Sequence, residues 1–139
     1  GVCGEDVLDP LVLYRGDHVF VILNKYPYNN GHLMVVPFRH IGRMADADSE
    51  ELGELIRLVR ISEMALDEAY HAHGINVGMN LGRSAGAGVP GHMHVHLVPR
   101  WEGDTNFMSV VSNTRVVPEE PADSVSRLEP IFQKLVTTD

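Results

Sequence analysis

The chain has 139 residues, enough for one domain with a real core and little room for a second. With 44% apolar and 22% charged residues it has a globular balance, which excludes a disordered or fibrous chain. Eleven Lys and Arg against nineteen Asp and Glu leave a net charge of −8, which excludes a broad basic face for DNA, RNA or anionic lipid. Any phosphate handled here must be held locally, by backbone amides and a few side chains.

Cys3, the sole cysteine, can form no intrachain disulfide and no Cys-x-x-Cys pair. Leu11–Tyr14 and Val19–Leu23 are short apolar runs split by Arg15-Gly16-Asp17, and they read as a hairpin. Tyr26-Pro27-Tyr28 reads as a connector, because Pro27 lacks a ladder donor. Asn29-Asn30-Gly31 is a second turn, leading into a third strand over His32–Phe38. Neither Val19–Leu23 nor Leu33–Phe38, the longest apolar runs, could span a bilayer, and no basic-then-apolar leader precedes them. A cytoplasmic protein is expected.

Asp48 is a good N-cap with Glu51 three residues later, the spacing of a capping box. Apolar residues recur at Leu52, Leu55, Ile56, Val59, Leu66, Ala69 and Tyr70, a helical stripe, and Gly74 stands where a C-terminal glycine stop belongs. Ile75–Leu81 is a fourth strand. Residues 82–91 carry glycines at 82, 86, 88 and 91 with Pro90, a backbone-exposing loop. His92–Pro99 alternates as a strand, with histidines on one face and Met93, Val95 and Leu97 on the other. Met108–Val117 is a weak pairing candidate, and 122–136 reads as a C-terminal helix despite Pro130. This order predicts an α+β domain: a five-stranded, mainly antiparallel sheet with one long helix and a C-terminal helix.

His92, His94 and His96 would lie about 6.6 Å apart along one strand face. A solvated polar face is one reading, although such faces more usually carry Thr, Lys or Glu. A zinc site is another, but it would need a third ligand and supporting carboxylates, and no carboxylate follows until Glu102. The third reading is nucleophilic catalysis at phosphorus. A neutral imidazole attacks phosphorus to form a labile phosphoramidate, and flanking imidazoles bind phosphoryl oxygens or protonate the leaving group. The adjoining loop, residues 82–91, can turn several amides toward one anion.

The run Gly91-His92-Met93-His94-Val95-His96-Leu97-Val98-Pro99-Arg100 resembles the signature of the histidine triad (HIT) nucleotide hydrolases and transferases. Leu23-Asn24-Lys25, Asn30 through Pro37 and Arg39-His40 resemble that family's N-terminal region, so the likeness covers about residues 11–107. Pro99-Arg100-Trp101 with Gly103-Asp104, Asn106 and Phe107 is similar to the bacterial diadenosine polyphosphate branch, whose members are hydrolases or phosphorylases (ATP adenylyltransferases). The resemblance implies a single HIT domain over 1–139, with a C-terminal extension over about 108–139. It makes His94 the nucleophile that carries AMP, has His96 bind phosphoryl oxygens, and has His92 support orientation and the leaving group. His32 would be a fourth, supporting histidine. Asn24 would meet a ribose hydroxyl, and Asn80, Gly88 and Val89 would meet phosphate, the last two through backbone groups. Val89 departs from the Ser or Thr of many relatives, which removes a side-chain phosphate contact.

The residues also have plainer readings. His32 could merely start a strand, Asn24 could be a turn residue, and Trp101 could be packing rather than a base-stacking surface. His18, His71 and His73 suit turn and helix-end positions, and Arg83 is either a distal-phosphate contact or a solvated cation. Some members of the family hold a structural zinc with two N-terminal cysteines and two histidines. His40 and His92 match the histidines, but with Cys3 alone no metal is expected. The histidine mechanism itself requires no cofactor.

The expected function is cleavage of a dinucleoside polyphosphate, such as diadenosine tetraphosphate, at the α-phosphate through a nucleotidyl-His94 intermediate. Alternatives are a purine nucleoside phosphoramidase, a non-catalytic nucleotide-binding protein and, third, a zinc hydrolase. The expected partner besides the AMP-containing substrate is a second copy of the chain. In the family's dimer two sheets join across the long helix and fourth strand, where Met64 and Tyr70 are candidates. No nucleic acid or membrane is expected.

Overall fold

A computed structural model of the chain describes residues 9–24, 30–82, 92–102 and 119–139. Strands β1 (Val12–Arg15), β2 (Val19–Leu23) and β3 (Leu33–Pro37) precede a short 3-10 turn, Met44–Asp46, and the long helix α1 (Ser49–Tyr70). Then come β4 (Gly74–Gly78), β5 (Val95–Arg100) and helix α2 (Pro121–Thr138). The five strands pair in the order β1-β2-β3-β5-β4, and every pairing is antiparallel. This is the α+β sheet with two helices that the sequence predicts. Met108–Val117 lies outside the described residues.

Alternation divides the sheet into two faces. Val19, Val21, Leu23, Leu33, Val35, Val95 and Leu97 point to the helices and form one core with Leu55, Leu58, Ile61, Leu66, Leu128 and Phe132. Phe20, Ile22 and Val36 form a second cluster with Val12, with Met34 and Phe38 packed against it. α2 is therefore part of the core, and Pro130 sits on its exposed side between buried Leu128 and Phe132.

The capping box forms as expected. Glu51 N–H donates to Asp48 Oδ1 at 2.8 Å, and Asp48 N–H donates to Glu51 Oε1 at 2.9 Å. Glu51 is buried and also accepts from Arg39, which holds its carboxyl below the usual range. The buried stripe has a different phase from the expected one. It runs through Leu55, Leu58, Ile61, Ala65 and Leu66, while Ile56 is 64% exposed. The helix also ends earlier than a stop at Gly74 implies. His71 takes the left-handed conformation at φ 51°, its N–H bonding Asp67 O, and Gly74 opens β4. Histidine is among the non-glycine residues that tolerate this region, so no glycine is required there. β4 stops at Gly78 rather than Leu81.

Candidate active site

The histidine strand begins later than alternation alone suggests. β3 pairs with β5 only from Val35↔Val95 onward, so residues 92–94 lie outside the ladder. There Met93 N–H donates to Ile41 O at 2.6 Å instead of to a strand. Alternation nevertheless carries through to Met93, which packs in one core with Val95 and Leu97, but the His92 ring, unlike those of His94 and His96, is fully buried. The residue is 2% exposed, its Nε2–H donates to Pro37 O at 2.9 Å, and the ring lies 4.9 Å from that of His40. Of the histidine-strand imidazoles, His94 and His96 stay partly exposed beside each other while His92 is buried, and a third ring from elsewhere in the sheet joins them.

That third is His32. The turn before it places Gly31 at φ +79°, where a Cβ would meet Leu66 Cδ2 and the Tyr70 ring at 2.9 Å, so glycine is needed both for conformation and for space. His32 then shares parity with Met34, putting it on the face opposite the helices with His94 and His96. His96 pairs across β5 with Met34 on one side and Gly78 on the other. The His94 and His96 rings are 4.5 Å apart and nearly perpendicular at 73°. His32 Nε2 lies 3.2 Å from His96 Nδ1, and the rings are 5.4 Å apart.

His92 still touches this cluster, through its backbone. His94 Nδ1–H donates to the His92 carbonyl at 3.3 Å, which leaves His94 Nε2 as the lone-pair nitrogen. Burial, then the neighbouring His96 and His94, lowers the His32 pKa to about 4. Burial and His94 lower that of His96 as well. Both rings are therefore neutral at pH 7, each with one donor and one acceptor nitrogen. The arrangement can supply a nucleophilic nitrogen beside an N–H donor on one open face.

Asn24 follows β2 directly, and its side-chain Nδ2 is 3.2 Å from His32 Nδ1. Its backbone N–H donates to His32 O at 2.9 Å. The sequence pointed to Asn24 as a ribose contact and missed this pairing. The signal was the hairpin register. Leu23↔Leu33 is the last β2–β3 pair, and one more step sets Asn24 opposite His32.

Asn80 is exposed two residues beyond Gly78, on the way to the glycine-rich segment. Gly88, Val89, Arg83 and Cys3 lie outside the described residues. Among the described residues, no group of three or more His, Cys, Asp or Glu is placed to hold a metal ion, and no helix is long and apolar enough to cross a membrane.

A family model described as the HIT domain matches residues 5–103, well over half of the chain. The chain is 44% identical over 109 residues to an AP-4-A phosphorylase of Mycobacterium tuberculosis, covering 78% of this chain and 56% of that protein. It is 34% identical over 93 residues to the asymmetrical bis(5'-nucleosyl)-tetraphosphatase of Schizosaccharomyces pombe, covering 67% of this chain and 50% of that one. The chain thus spans about half the length of these curated relatives. Among solved structures, a hypothetical histidine triad nucleotide-binding protein of Sulfolobus tokodaii superposes with a TM-score of 0.69 at 32% identity, over 92% of this chain and 84% of that one. With the imidazole cluster on the sheet face and the HIT-domain match spanning it, the chain belongs to the histidine triad family.

Proposed function

We propose that this protein cleaves dinucleoside polyphosphates, such as diadenosine tetraphosphate, at the α-phosphate through a nucleotidyl-His94 intermediate. The observation that carries the reading is the placement of His94 Nδ1 3.3 Å from the His92 carbonyl, which can only accept: with Nδ1–H as the donor of that bond, Nε2 is the nitrogen with a free electron pair. The names of the two relatives, a phosphorylase and a tetraphosphatase acting on such nucleotides, support the substrate class.

In the first step His94 Nε2 attacks the α-phosphorus. The new P–N bond forms as the P–O bond to the leaving polyphosphate breaks, releasing ATP from diadenosine tetraphosphate. His96, 4.5 Å away ring to ring, supports the phosphoryl oxygens as their charge grows. In the second step an acceptor takes the AMP group and restores the free imidazole. Water as acceptor yields AMP, and inorganic phosphate yields ADP. Of the two, we favour phosphorolysis, on the identity to the phosphorylase and the Pro99-Arg100-Trp101 sequence. The backbone amides around Gly88 and Val89, with Asn80, are the proposed phosphate cradle. His92 and His32 act as supports for the nucleophile and for His96. No cofactor or metal is required in this scheme. The enzyme is proposed to work in the cytoplasm as a homodimer.

Incubation with diadenosine tetraphosphate, with and without inorganic phosphate and under chelation, tests this. ADP plus ATP only when phosphate is present supports phosphorolysis, and AMP plus ATP regardless of phosphate means hydrolysis. His94→Ala should lower either rate by about 1,000-fold or more while nucleotide binding stays measurable. A rate near wild type in that variant, or loss of activity on chelation, overturns the mechanism. Turnover of an adenosine phosphoramidate alone would replace the substrate class and keep the intermediate.

A further inference from the structure

We propose that Asn24 is a positioning residue: by donating to His32 Nδ1 it sets the direction of the His32–His96 hydrogen-bond chain, so that His96 presents Nε2–H to the phosphoryl group. The last clause rests on the nucleotidyl-transfer reading; the tautomer assignment does not.

Two neutral imidazoles in a chain have two directions open to them, and only a group at one end can choose between them. The Asn24 amide nitrogen is that group. It is a donor only, 3.2 Å from His32 Nδ1. His32 Nδ1 must then accept, its Nε2 carries the proton, and Nε2–H donates to His96 Nδ1 at 3.2 Å. His96 Nδ1 accepts in turn, which leaves the proton on His96 Nε2. The backbone bond from Asn24 N–H to His32 O, at 2.9 Å, holds the two residues opposite each other. Burial keeps His32 neutral by lowering its pKa to about 4, so the one-donor, one-acceptor rule applies to it.

The neighbouring ring has the opposite tautomer, because His94 Nδ1–H is held by the His92 carbonyl. Two adjacent imidazoles thus carry complementary nitrogens: a lone pair on His94 and an N–H on His96. Were the chain reversed, His96 would turn a lone pair toward an oxygen gaining negative charge.

Histidine-labelled ¹⁵N NMR on the full chain reads this directly, since long-range correlations distinguish protonated from bare ring nitrogens. In the wild type His32 Nδ1 and His96 Nδ1 should be bare. Asn24→Ala should leave His96 in a mixture of tautomers, and Asn24→Asp, which can only accept, should draw a proton onto His32 Nδ1. His94 should not change in either. A protonated His32 Nδ1 in the wild type, or an unchanged His96 in Asn24→Ala, overturns the proposal.

With diadenosine tetraphosphate as substrate, Asn24→Ala should lower kcat about ten-fold with KM little changed. A raised KM at constant kcat would make Asn24 a ribose contact instead. If the tautomers move as expected in a protein that turns over no dinucleoside polyphosphate, Asn24 keeps its positioning role, and only the proposed function fails.

Discussion

His32 is buried as a neutral base, and this ties folding stability to pH. Its pKa falls from 6.5 to about 4 on folding, first through burial and then through His96 and His94. Between those values the unfolded chain binds the extra proton and the folded chain does not, so unfolding free energy decreases as pH falls from about 6.5 to about 4. Above that window the contribution is complete. His32→Gln should flatten this acid slope, with part of it remaining because His96 is shifted in the same direction. Urea unfolding at pH 7 and pH 4.5 measures it, and an equal loss in both proteins would place the acid sensitivity elsewhere. At this scale the sequence was a good guide to His94, His96 and His32, because all three obey strand alternation. It did not reveal that the His92 ring is buried against Pro37 O and the His40 ring, because these contacts come from residues far from it in the chain. The Asn24 contact depended on a hairpin register that the intervening residues do not reveal by composition.

A carboxylate between elements fastens the turn that presents His32. Glu119 accepts from Tyr70 Oη–H at 2.7 Å, from Ser124 Oγ–H at 2.8 Å and from Arg127 through two nitrogens at 2.9 and 2.7 Å. Its own N–H donates to Asn30 Oδ1 at 2.8 Å. One residue thus joins the end of α1, the start of α2 and the Asn30-Gly31 turn. Burial raises the Glu119 pKa, but these three donors outweigh it and hold the carboxyl below its usual range. Burial also pushes the Tyr70 phenol up to about 12, so it remains a donor at neutral pH. Tyr70→Phe should cost about 1–2 kcal/mol in chemical denaturation. Hydrogen exchange should show protection lost first at the amides of Asp123 and Ser124, with the centre of α1 unchanged. Uniform protection in the variant would mean that Glu119 does not tie α2 down. The elements were mostly legible: the capping box marked the start of α1, and turn residues separated the strands. The phase of its buried stripe was not, because apolar residues cover much of the helix. Only the positions of β2, β3 and α2 select Leu58 and Ile61 over Ile56.

For the molecule as a whole, the sheet's edge is the feature that bears on assembly. β4 is an edge strand among the described residues, and Val77 within it is 52% exposed. On α1, beside this strand, Met64 is 40% exposed. Met64, Ile75 and Val77 line a groove between helix and strand, with Glu63, Asp67 and His73 beside them. An edge strand flanked by apolar side chains is a template for strand addition, and the proposed homodimer would use it by antiparallel pairing about a two-fold axis, which matches the strand to itself. The sheet would then run on from one protomer into the other. Tyr70, the other candidate for this contact, is instead engaged by Glu119 and Arg127 within its own chain. Val77→Glu should break the association. It would put a carboxylate from each copy close to the two-fold axis, beside Glu63 and Asp67, in a chain that already carries a net charge of −8. Light scattering after size exclusion should give a dimer for the wild type and a monomer for the variant, with unchanged helicity by circular dichroism. A monomeric wild type, or a variant that stays dimeric, overturns this assembly. Because Gly78 at the end of β4 pairs with His96, the monomeric variant also asks whether the imidazole cluster depends on the partner. The β4–β5 pairing lies entirely within one chain, so the histidine tautomers should survive dissociation, and their ¹⁵N signals in the variant would show it.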